Sequence, residues 1–171
     1  MIRTSALAVA FALLAACTAA RPRPTAQVPP LAGKPLELTA PDLAGREVRV
    51  EAPGRVVVVD FFASWCDPCR VQLPHLGALA RALGAQGLVA YGVAVDEERA
   101  AVEGFAQGLG VEFPILWDPG GDAVARPLGI ERLPTTILVD RRGVVRHVHV
   151  GYDAHVEERV AAEVKALLAE R

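Results

Sequence analysis

A run of apolar and mostly β-branched residues, Val56–Phe62, ends four residues before the first of two closely spaced cysteines, Cys66 and Cys69. Such a run is typical of a strand that is buried on both faces of a sheet. From Cys69 to Leu83 the apolar residues recur near helical spacing, and two glycines follow that stop the pattern. The two cysteines are therefore predicted to lie where a central strand gives way to a helix.

Strand and helix patterns alternate along the rest of the chain. We predict a small hairpin from Leu36–Thr39 and Glu47–Val50, and further strands at Leu88–Val95, Phe113–Trp117, Thr135–Val139 and Val144–Val150. Helices are predicted at Glu98–Leu109 and Ala154–Ala169, and a short helix is predicted to follow the turn at 118–121 and to end at about Leu128. The last two strands are expected to form a hairpin. This order predicts an α/β fold with a mixed sheet that is covered by helices on both faces.

Composition excludes several classes of protein. The 171 residues are 52% hydrophobic and 22% charged, which is too apolar for a disordered chain and too charged for a polytopic membrane protein. The formal net charge is −2 and the Lys and Arg residues are scattered, so we expect no nucleic-acid partner. Three cysteines are too few for a disulfide scaffold or a four-thiolate zinc site.

The N-terminus is predicted to be a targeting signal. Arg3 precedes an apolar run, Ala6–Ala16, that is too short to span a membrane. The residues up to Cys17 resemble a bacterial lipoprotein cleavage box, in which the cysteine thiol accepts the lipid. The alternative is an ordinary cleavable signal followed by an accidental cysteine. We expect a signal peptide at 1–16 and a mature chain in the cell envelope, on the periplasmic side, lipid-anchored to the inner or outer membrane.

A proline-rich stretch follows the signal. Five of the 13 prolines fall between Arg21 and Pro35, which favours an extended and semi-rigid spacer. We therefore predict that residues 17–35 are a lipidated cysteine and linker, and that residues 36–171 form one domain.

The two cysteines have the spacing of a redox pair. A helix N-terminus stabilises a thiolate at Cys66, Cys69 lies one turn away, and Pro68 suits the first turn of a helix. Thiol–disulfide exchange needs one thiolate to attack and a neighbour to resolve the mixed disulfide. A zinc site would need a second cysteine pair, and haem attachment would need His instead of Arg70. We therefore expect no metal and no cofactor other than the Cys66–Cys69 disulfide itself.

The residues around this pair resemble a known family. Residues 59–69 (VDFFASWCDPC) look like the active-site stretch of the thioredoxin superfamily, and residues 132–136 (RLPTT) look like its cis-proline loop. The intervening stretch from Val93 to Ile115, the turn at 138–143 and residues 149–151 are similar to the TlpA/ResA/CcmG-like branch of membrane-tethered thiol–disulfide oxidoreductases. The resemblance covers the chain from about Leu36 onwards.

This resemblance implies a thioredoxin-like fold with a central mixed sheet, helices on both faces, an N-terminal hairpin and a central βα insert. It also implies that Cys66 is the attacking thiol, that Cys69 is the resolving thiol and that Pro134 is cis. The backbone of Leu133 would then pair with an extended segment of the substrate. Trp65 would be either a core aromatic or a lid beside the dithiol.

Asp60 is the strongest candidate for a catalytic residue outside the cysteine pair. A carboxylate within a buried strand would have a raised pKa and could exchange a proton with Cys69. The alternative is an aspartate at a strand edge that pairs with an arginine or reaches water. Some ResA-like proteins carry a glutamate three residues after the second cysteine, but this chain has Gln72, which cannot titrate.

Asp67 bears on the direction of electron flow. An anion next to Cys66 opposes its thiolate and raises its pKa, which favours the disulfide and makes the couple a better reductant. The alternatives are that Asp67 is screened by solvent or only caps the helix.

The predicted function is therefore reduction of disulfides in envelope proteins, with apocytochrome c as one client that the resemblance implies. The resemblance also implies a membrane electron donor of the DsbD/CcdA type. Two alternatives stay open: a peroxiredoxin-like thiol peroxidase and a Cu(I) metallochaperone that uses the same cysteines. The sequence around Cys66 does not contain the Thr-x-x-Cys motif that peroxidase chemistry needs. Sco-like copper chaperones have three residues between their cysteines, whereas this chain has two. His147 and His149 share a strand face, but they lack a third metal ligand in the sequence pattern.

Overall fold

A computed structural model describes residues 30–51 and 53–170. The strands are β1 (Thr39–Pro41), β2 (Glu47–Arg49), β3 (Val56–Phe62), β4 (Leu88–Ala94), β5 (Ile115–Trp117), β6 (Thr135–Val139) and β7 (Val145–Val150). The α-helices are α1 (Asp67–Leu83), α2 (Arg99–Leu109) and α3 (Val156–Ala169), and one-turn 3₁₀ helices lie at Gly84–Gln86 and Pro119–Gly121.

Five strands form the central sheet in the order β5-β4-β3-β6-β7. β3 is parallel to β4, and β4 is parallel to β5, whereas β3 and β6 and also β6 and β7 are antiparallel. The predicted mixed sheet is confirmed, and β1 and β2 form the predicted N-terminal hairpin as a separate two-stranded sheet. Seven consecutive pairs join β3 to β4, so the strand that precedes the cysteines is held centrally along its whole length.

α1 connects β3 to β4, and α2 connects β4 to β5. Both connections are right-handed and move towards the same edge of the sheet, so both helices lie on the same face. On this face Phe62 of β3 packs in one cluster with Leu73 of α1 and Phe105 of α2. Val58, also on this face, packs in a second cluster with Val160 of α3. All three α-helices therefore cover the same face.

The opposite face of the sheet is covered differently. Val57, Val59 and Phe61 point to it and pack against the hairpin and the segment 124–130. Within the described residues, the helical part of this cover is the single 3₁₀ turn at Pro119–Gly121. The predicted short helix up to about Leu128 is wrong, because residues 122–129 form turns. Arg126 N–H donates to the Gly121 carbonyl (2.8 Å) and Ile130 N–H donates to the Ala125 carbonyl (2.9 Å), which are five residues back instead of the four of an α-helix.

The predicted strands and helices otherwise agree with the structure to within three residues at each end. β3 and β6 have the predicted bounds, whereas α1 begins at Asp67, two residues earlier than expected, and the first hairpin strand begins at Thr39 instead of Leu36. The bounds of the elements differ because the last turn of a helix and the outermost residue pair of a strand depend on contacts with neighbouring elements.

Backbone pairing begins before the predicted domain boundary. Gly33 N–H donates to the carbonyl of Val145 (2.8 Å), and Leu36 N–H donates to that of Gly143 (2.9 Å). The folded unit therefore includes the last residues of the predicted linker. The predicted signal peptide at 1–16 and the candidate lipidation site Cys17 lie outside the described residues. None of the helices in 30–51 and 53–170 is long and apolar enough to cross a membrane.

Candidate active site

The structure brings the two predicted redox cysteines together. Cys66 is the N-cap of α1, Cys69 lies in its first turn, and their sulfur atoms are bonded at 2.07 Å with the Cα atoms 5.3 Å apart. Cys69 is fully buried, whereas Cys66 keeps 6% of its surface exposed. Cys66 is therefore the more accessible of the two cysteines.

The local sequence explains why α1 begins here. Pro68 lies in the first turn, where its missing N–H costs no helical hydrogen bond. The Cys66 N–H donates to the Ala63 carbonyl (3.1 Å), and the Cys69 N–H donates to the Cys66 carbonyl (3.0 Å). No side chain of the described ranges caps this helix N-terminus, so its free amides and positive dipole end face the Cys66 sulfur. Asp67 is exposed on the same turn.

Asp60 is completely buried in the middle of the sheet, which excludes the strand-edge alternative. It lies opposite Gly92 of β4 and Thr136 of β6. Burial raises the pKa of Asp60 to about 7, although hydrogen bonds from Thr136 and Gln72 act in the opposite direction. This carboxyl group can therefore gain or lose a proton near neutral pH.

The Leu133–Pro134 peptide bond is cis, as the motif predicted. Pro134 is buried, and its carbonyl accepts a hydrogen bond from Gly151 N–H (2.7 Å). The neighbouring Leu133 packs against the cluster that contains both cysteines. Among the described residues no backbone group pairs with the N–H or carbonyl of Leu133, so both can bind an extended segment.

A groove of about 470 Å³ lies beside this loop. Trp65 and Leu133 line it together with Val95, Ile130 and Arg132. Trp65 is 70% exposed, which shows that it is a wall of this groove and not a core aromatic. An exposed aromatic next to a reactive pair is a suitable contact for a polypeptide substrate.

Sequence reasoning missed Asp96, which holds the segment before Cys66. Asp96 is 4% exposed, and its carboxylate accepts hydrogen bonds from Ser64 N–H (3.0 and 3.1 Å) and from Ser64 Oγ (2.5 Å). Trp117 Nε1 donates to the Asp96 carbonyl (2.7 Å). The inserted unit from β4 to β5 therefore anchors the active-site loop. The only sequence signal was its place directly after a buried strand.

Arg70 is a second residue whose role the sequence did not reveal. Its guanidinium lies 4.7 Å from the ring centre of Phe105 in α2 and donates to the Ser64 carbonyl (3.2 Å). A cation over an aromatic face is attracted by the ring quadrupole. Arg70 thus links the start of α1 to α2 and places a positive charge close to the dithiol.

The described residues contain no group of three or more His, Cys, Asp or Glu side chains that could hold a metal ion. His149 Nε2 lies 2.6 Å from Glu163 Oε2, and His147 Nδ1 lies 3.4 Å from Glu163 Oε1. The shared strand face of these histidines is therefore directed at a carboxylate of α3.

Comparison with known proteins agrees with this geometry. A family model described as Redoxin matches residues 23–165. The chain belongs to the Redoxin family. Relatives of this Redoxin chain include the thiol-disulfide oxidoreductases ResA of Geobacillus thermodenitrificans, 37% identical over 111 residues, and of Bacillus subtilis, 30% identical over 111 residues. The matches cover 64% of this chain and 63% and 62% of those relatives, which is less than two thirds of their length.

Solved structures with the same fold confirm the thioredoxin-like architecture of this Redoxin chain. A Chlorobium tepidum protein assigned as the thiol:disulfide interchange protein DsbE has a TM-score of 0.74 and 29% identity, covering 81% of this chain and 97% of that one. DsbF of Mycobacterium tuberculosis has a TM-score of 0.68 and 28% identity, covering 77% and 96%. The resemblance to the ResA/CcmG-like branch is thereby confirmed.

Proposed function

We propose that this chain is a thiol–disulfide oxidoreductase that reduces protein disulfides with the Cys66–Cys69 pair. The observation that carries the proposal is the bonded sulfur pair at the uncapped N-terminus of α1, with Cys66 6% exposed and Cys69 fully buried. The names of the ResA relatives and of the DsbE-like structure support thiol–disulfide oxidoreductase activity. The disulfide is itself the redox centre, so the proposed reaction needs no other cofactor.

The reaction begins with the reduced pair. The Cys66 thiolate attacks one sulfur of a substrate disulfide, which forms a mixed disulfide and expels a substrate thiolate. Cys69 then loses its proton to the Asp60 carboxylate, and the Cys69 thiolate attacks the Cys66 sulfur. The second substrate thiolate leaves, the substrate has gained two electrons, and the Cys66–Cys69 disulfide remains.

The substrate is expected to bind along the groove between Trp65 and Leu133. An extended segment pairs with the free backbone groups of Leu133, while Trp65 contacts its side chains. This would place the substrate disulfide beside Cys66. Pro134, whose carbonyl is engaged by Gly151, keeps the loop in position.

Reductase activity is proposed over oxidase activity because of Asp67. Its carboxylate follows Cys66 directly, and repulsion between two anions raises the free energy of the thiolate form. The disulfide form is favoured, so the reduced pair donates electrons readily. Asp67 and Pro68 lie in the first turn of α1, directly after the N-cap Cys66.

The proposed site of action is the cell envelope. This rests on the signal-like residues 1–16 and on Cys17, which would carry the lipid that holds the domain to a membrane. Electrons would come from a membrane donor of the DsbD/CcdA type. Apocytochrome c is the proposed client, because its haem-binding cysteines must be reduced before attachment.

The activity is tested by reduction of insulin disulfides with dithiothreitol as the electron source. We expect the wild-type domain to accelerate the reaction, Cys66→Ser to abolish the acceleration, and Cys69→Ser to accumulate a mixed disulfide with the substrate. Expression of Cys69→Ser in the native host then identifies the trapped client. Acceleration that persists in Cys66→Ser would contradict the proposal.

A further inference from the structure

Three polar side chains form a buried cluster between α1 and the central sheet: Asp60, Gln72 and Thr136. Gln72 Nε2 lies 2.5 Å from Asp60 Oδ1 and 2.6 Å from Thr136 Oγ1. Thr136 Oγ1 lies 2.8 Å from the same Asp60 oxygen. None of the three residues is more than 3% exposed.

The donor inventory fixes the direction of each hydrogen bond. The Gln72 amide has two N–H groups, and it donates one to Asp60 Oδ1 and the other to Thr136 Oγ1. The Thr136 hydroxyl accepts that bond and donates its own proton to Asp60 Oδ1. Asp60 Oδ2 has no hydrogen-bond partner among the described residues. The two oxygens of Asp60 are therefore not equivalent.

We infer that Gln72, together with Thr136, is a positioning residue that binds Asp60 Oδ1 and leaves Oδ2 as the oxygen that exchanges a proton with Cys69. Gln72 lies three residues after Cys69 on α1, so the two side chains are neighbours on one face of the helix. This inference rests on the proposed redox function, because it assigns a proton route within that reaction.

An amide at position 72 leaves Asp60 as the titrating group of the cluster. The residues that pair with Asp60 or bond to its carboxylate are Gly92 on β4, Thr136 on β6 and Gln72 on α1, and none of them is charged. A second carboxyl group at position 72 would instead share one proton with Asp60. The two donors also stabilise the ionised form against the cost of burial, which holds the pKa of Asp60 near 7.

Gln72 also separates Asp60 from a groove between α1 and α3. This groove has a volume of about 310 Å³ and is lined mainly by apolar residues, among them Leu79 and Val160. A short side chain at position 72 would open Asp60 to water and change its solvation. The informative substitution is therefore Gln72→Met, which removes the donor but keeps the volume.

The test follows the titration of the Asp60 carboxyl carbon by NMR in the oxidised domain, where the cysteines do not titrate. We expect Gln72→Met and Thr136→Val each to raise the pKa of Asp60 by about one unit, since each removes a donor to the ionised form. Gln107→Met, on the exposed face of α2, is the matched control and should leave the titration in place.

A kinetic measurement links the titration to the reaction. Dithiothreitol reduces the disulfide by attack on Cys66, and Cys69 leaves with the electron pair of the broken bond and takes the Asp60 proton. The limb of the pH–rate profile that reports Asp60 should move to higher pH in Gln72→Met, and this shift should equal the shift of the pKa in the NMR titration.

The inference is overturned if Gln72→Met lowers the thermal unfolding temperature but leaves the Asp60 titration and the pH–rate limb unchanged, because Gln72 would then be only structural. If Gln72→Met does not fold, Thr136→Val decides by the same criteria. Failure of the domain to reduce insulin disulfides refutes the proposed function instead, and the NMR titration distinguishes the two failures.

Discussion

Asp60 in the middle of β3 and Asp96 just after β4 are both buried carboxylates, but their oxygens are used differently. Both Asp96 oxygens accept hydrogen bonds from Ser64, so that carboxylate holds the loop that leads to Cys66. Asp60 has two donors on one oxygen and, among the described residues, no partner on the other. A buried acid whose oxygens are all bonded stabilises a structure, whereas one that leaves an oxygen free is available for proton transfer.

The free-energy cost of burying the carboxylate also differs between Asp60 and Asp96. Asp96 lies at a strand end, where backbone amides are available as donors. Asp60 lies within the sheet, where the backbone amides are already paired along β4 and β6, so only side chains can stabilise its charge. Replacement of each carboxylate by its amide should therefore have opposite effects on folding, and this contrast leads to four predictions.

The pH dependence of stability should change most. The pKa of Asp60 in the folded oxidised domain is about 7, above its ordinary value of 3.8, so the folded state binds the proton more tightly. Its stabilising contribution is complete below about pH 4 and is lost as the pH rises through 7, by about 4 kcal/mol in all. Urea unfolding from pH 4 to 8 should show this decline in the wild type and a flatter curve in Asp60→Asn. Equal slopes in the two proteins would show that Asp60 titrates normally.

The second expected effect is on turnover. Asp60→Asn cannot accept the Cys69 proton, so resolution of the mixed disulfide at pH 8 should slow by about 100-fold, the usual contribution of a general base. Rapid-quench measurement of the mixed disulfide with a model peptide disulfide reports this step. Glu158→Gln, on the exposed side of α3, is the control. A wild-type resolution rate in Asp60→Asn would remove Asp60 from the mechanism.

The third expected effect is on folding stability. Asp96→Asn places an amide N–H against the donors of Ser64 and should lower the free energy of unfolding by about 2 kcal/mol. Asp60→Asn, in contrast, should be neutral or stabilising at pH 8, because it removes a buried charge. Urea titrations at pH 8 compare both variants. Loss of stability in Asp60→Asn, with none in Asp96→Asn, would reverse the assignment of the two carboxylates.

The smallest expected effect concerns Asp67, an exposed carboxylate that extends the comparison to the protein surface. Asp67→Asn should raise the reduction potential of the Cys66–Cys69 pair by about 10 to 20 mV, because solvent screens most of its repulsion with the thiolate. Equilibration with glutathione buffers measures the shift, with Glu158→Gln as the unaffected control. A shift to a lower potential would contradict the proposed direction of electron flow.

Much of this site follows from local sequence. The run Val56–Phe62 predicts a buried strand, and the position of Asp60 within it favours a buried carboxylate over one at a strand edge. The spacing of Cys66 and Cys69 at the start of a helix predicts their contact, because residues three apart meet on one face. The resemblance to the cis-proline loop predicts the conformation at Pro134.

The partners of the two buried carboxylates did not follow from local sequence. Thr136 is 76 residues from Asp60, and Ser64 is 32 residues from Asp96. Gln72 was recognised in the sequence only as a residue that cannot titrate, whereas the fold makes it a donor to Asp60. Helix and strand periods report which side chains face inward, but they contain no information on which strands become neighbours.

The order of the strands and of the three α-helices and the position of the cysteine pair could be predicted from the sequence, since these depend on residues close together in the chain. The complete burial of Asp60, the oxygen of Asp60 without a partner among the described residues, and the residues that hold the loop before Cys66 became known from the three-dimensional fold. The reason is that sheet order and register place β6 beside β3, and the end of β4 beside Ser64, through the packing of the whole domain.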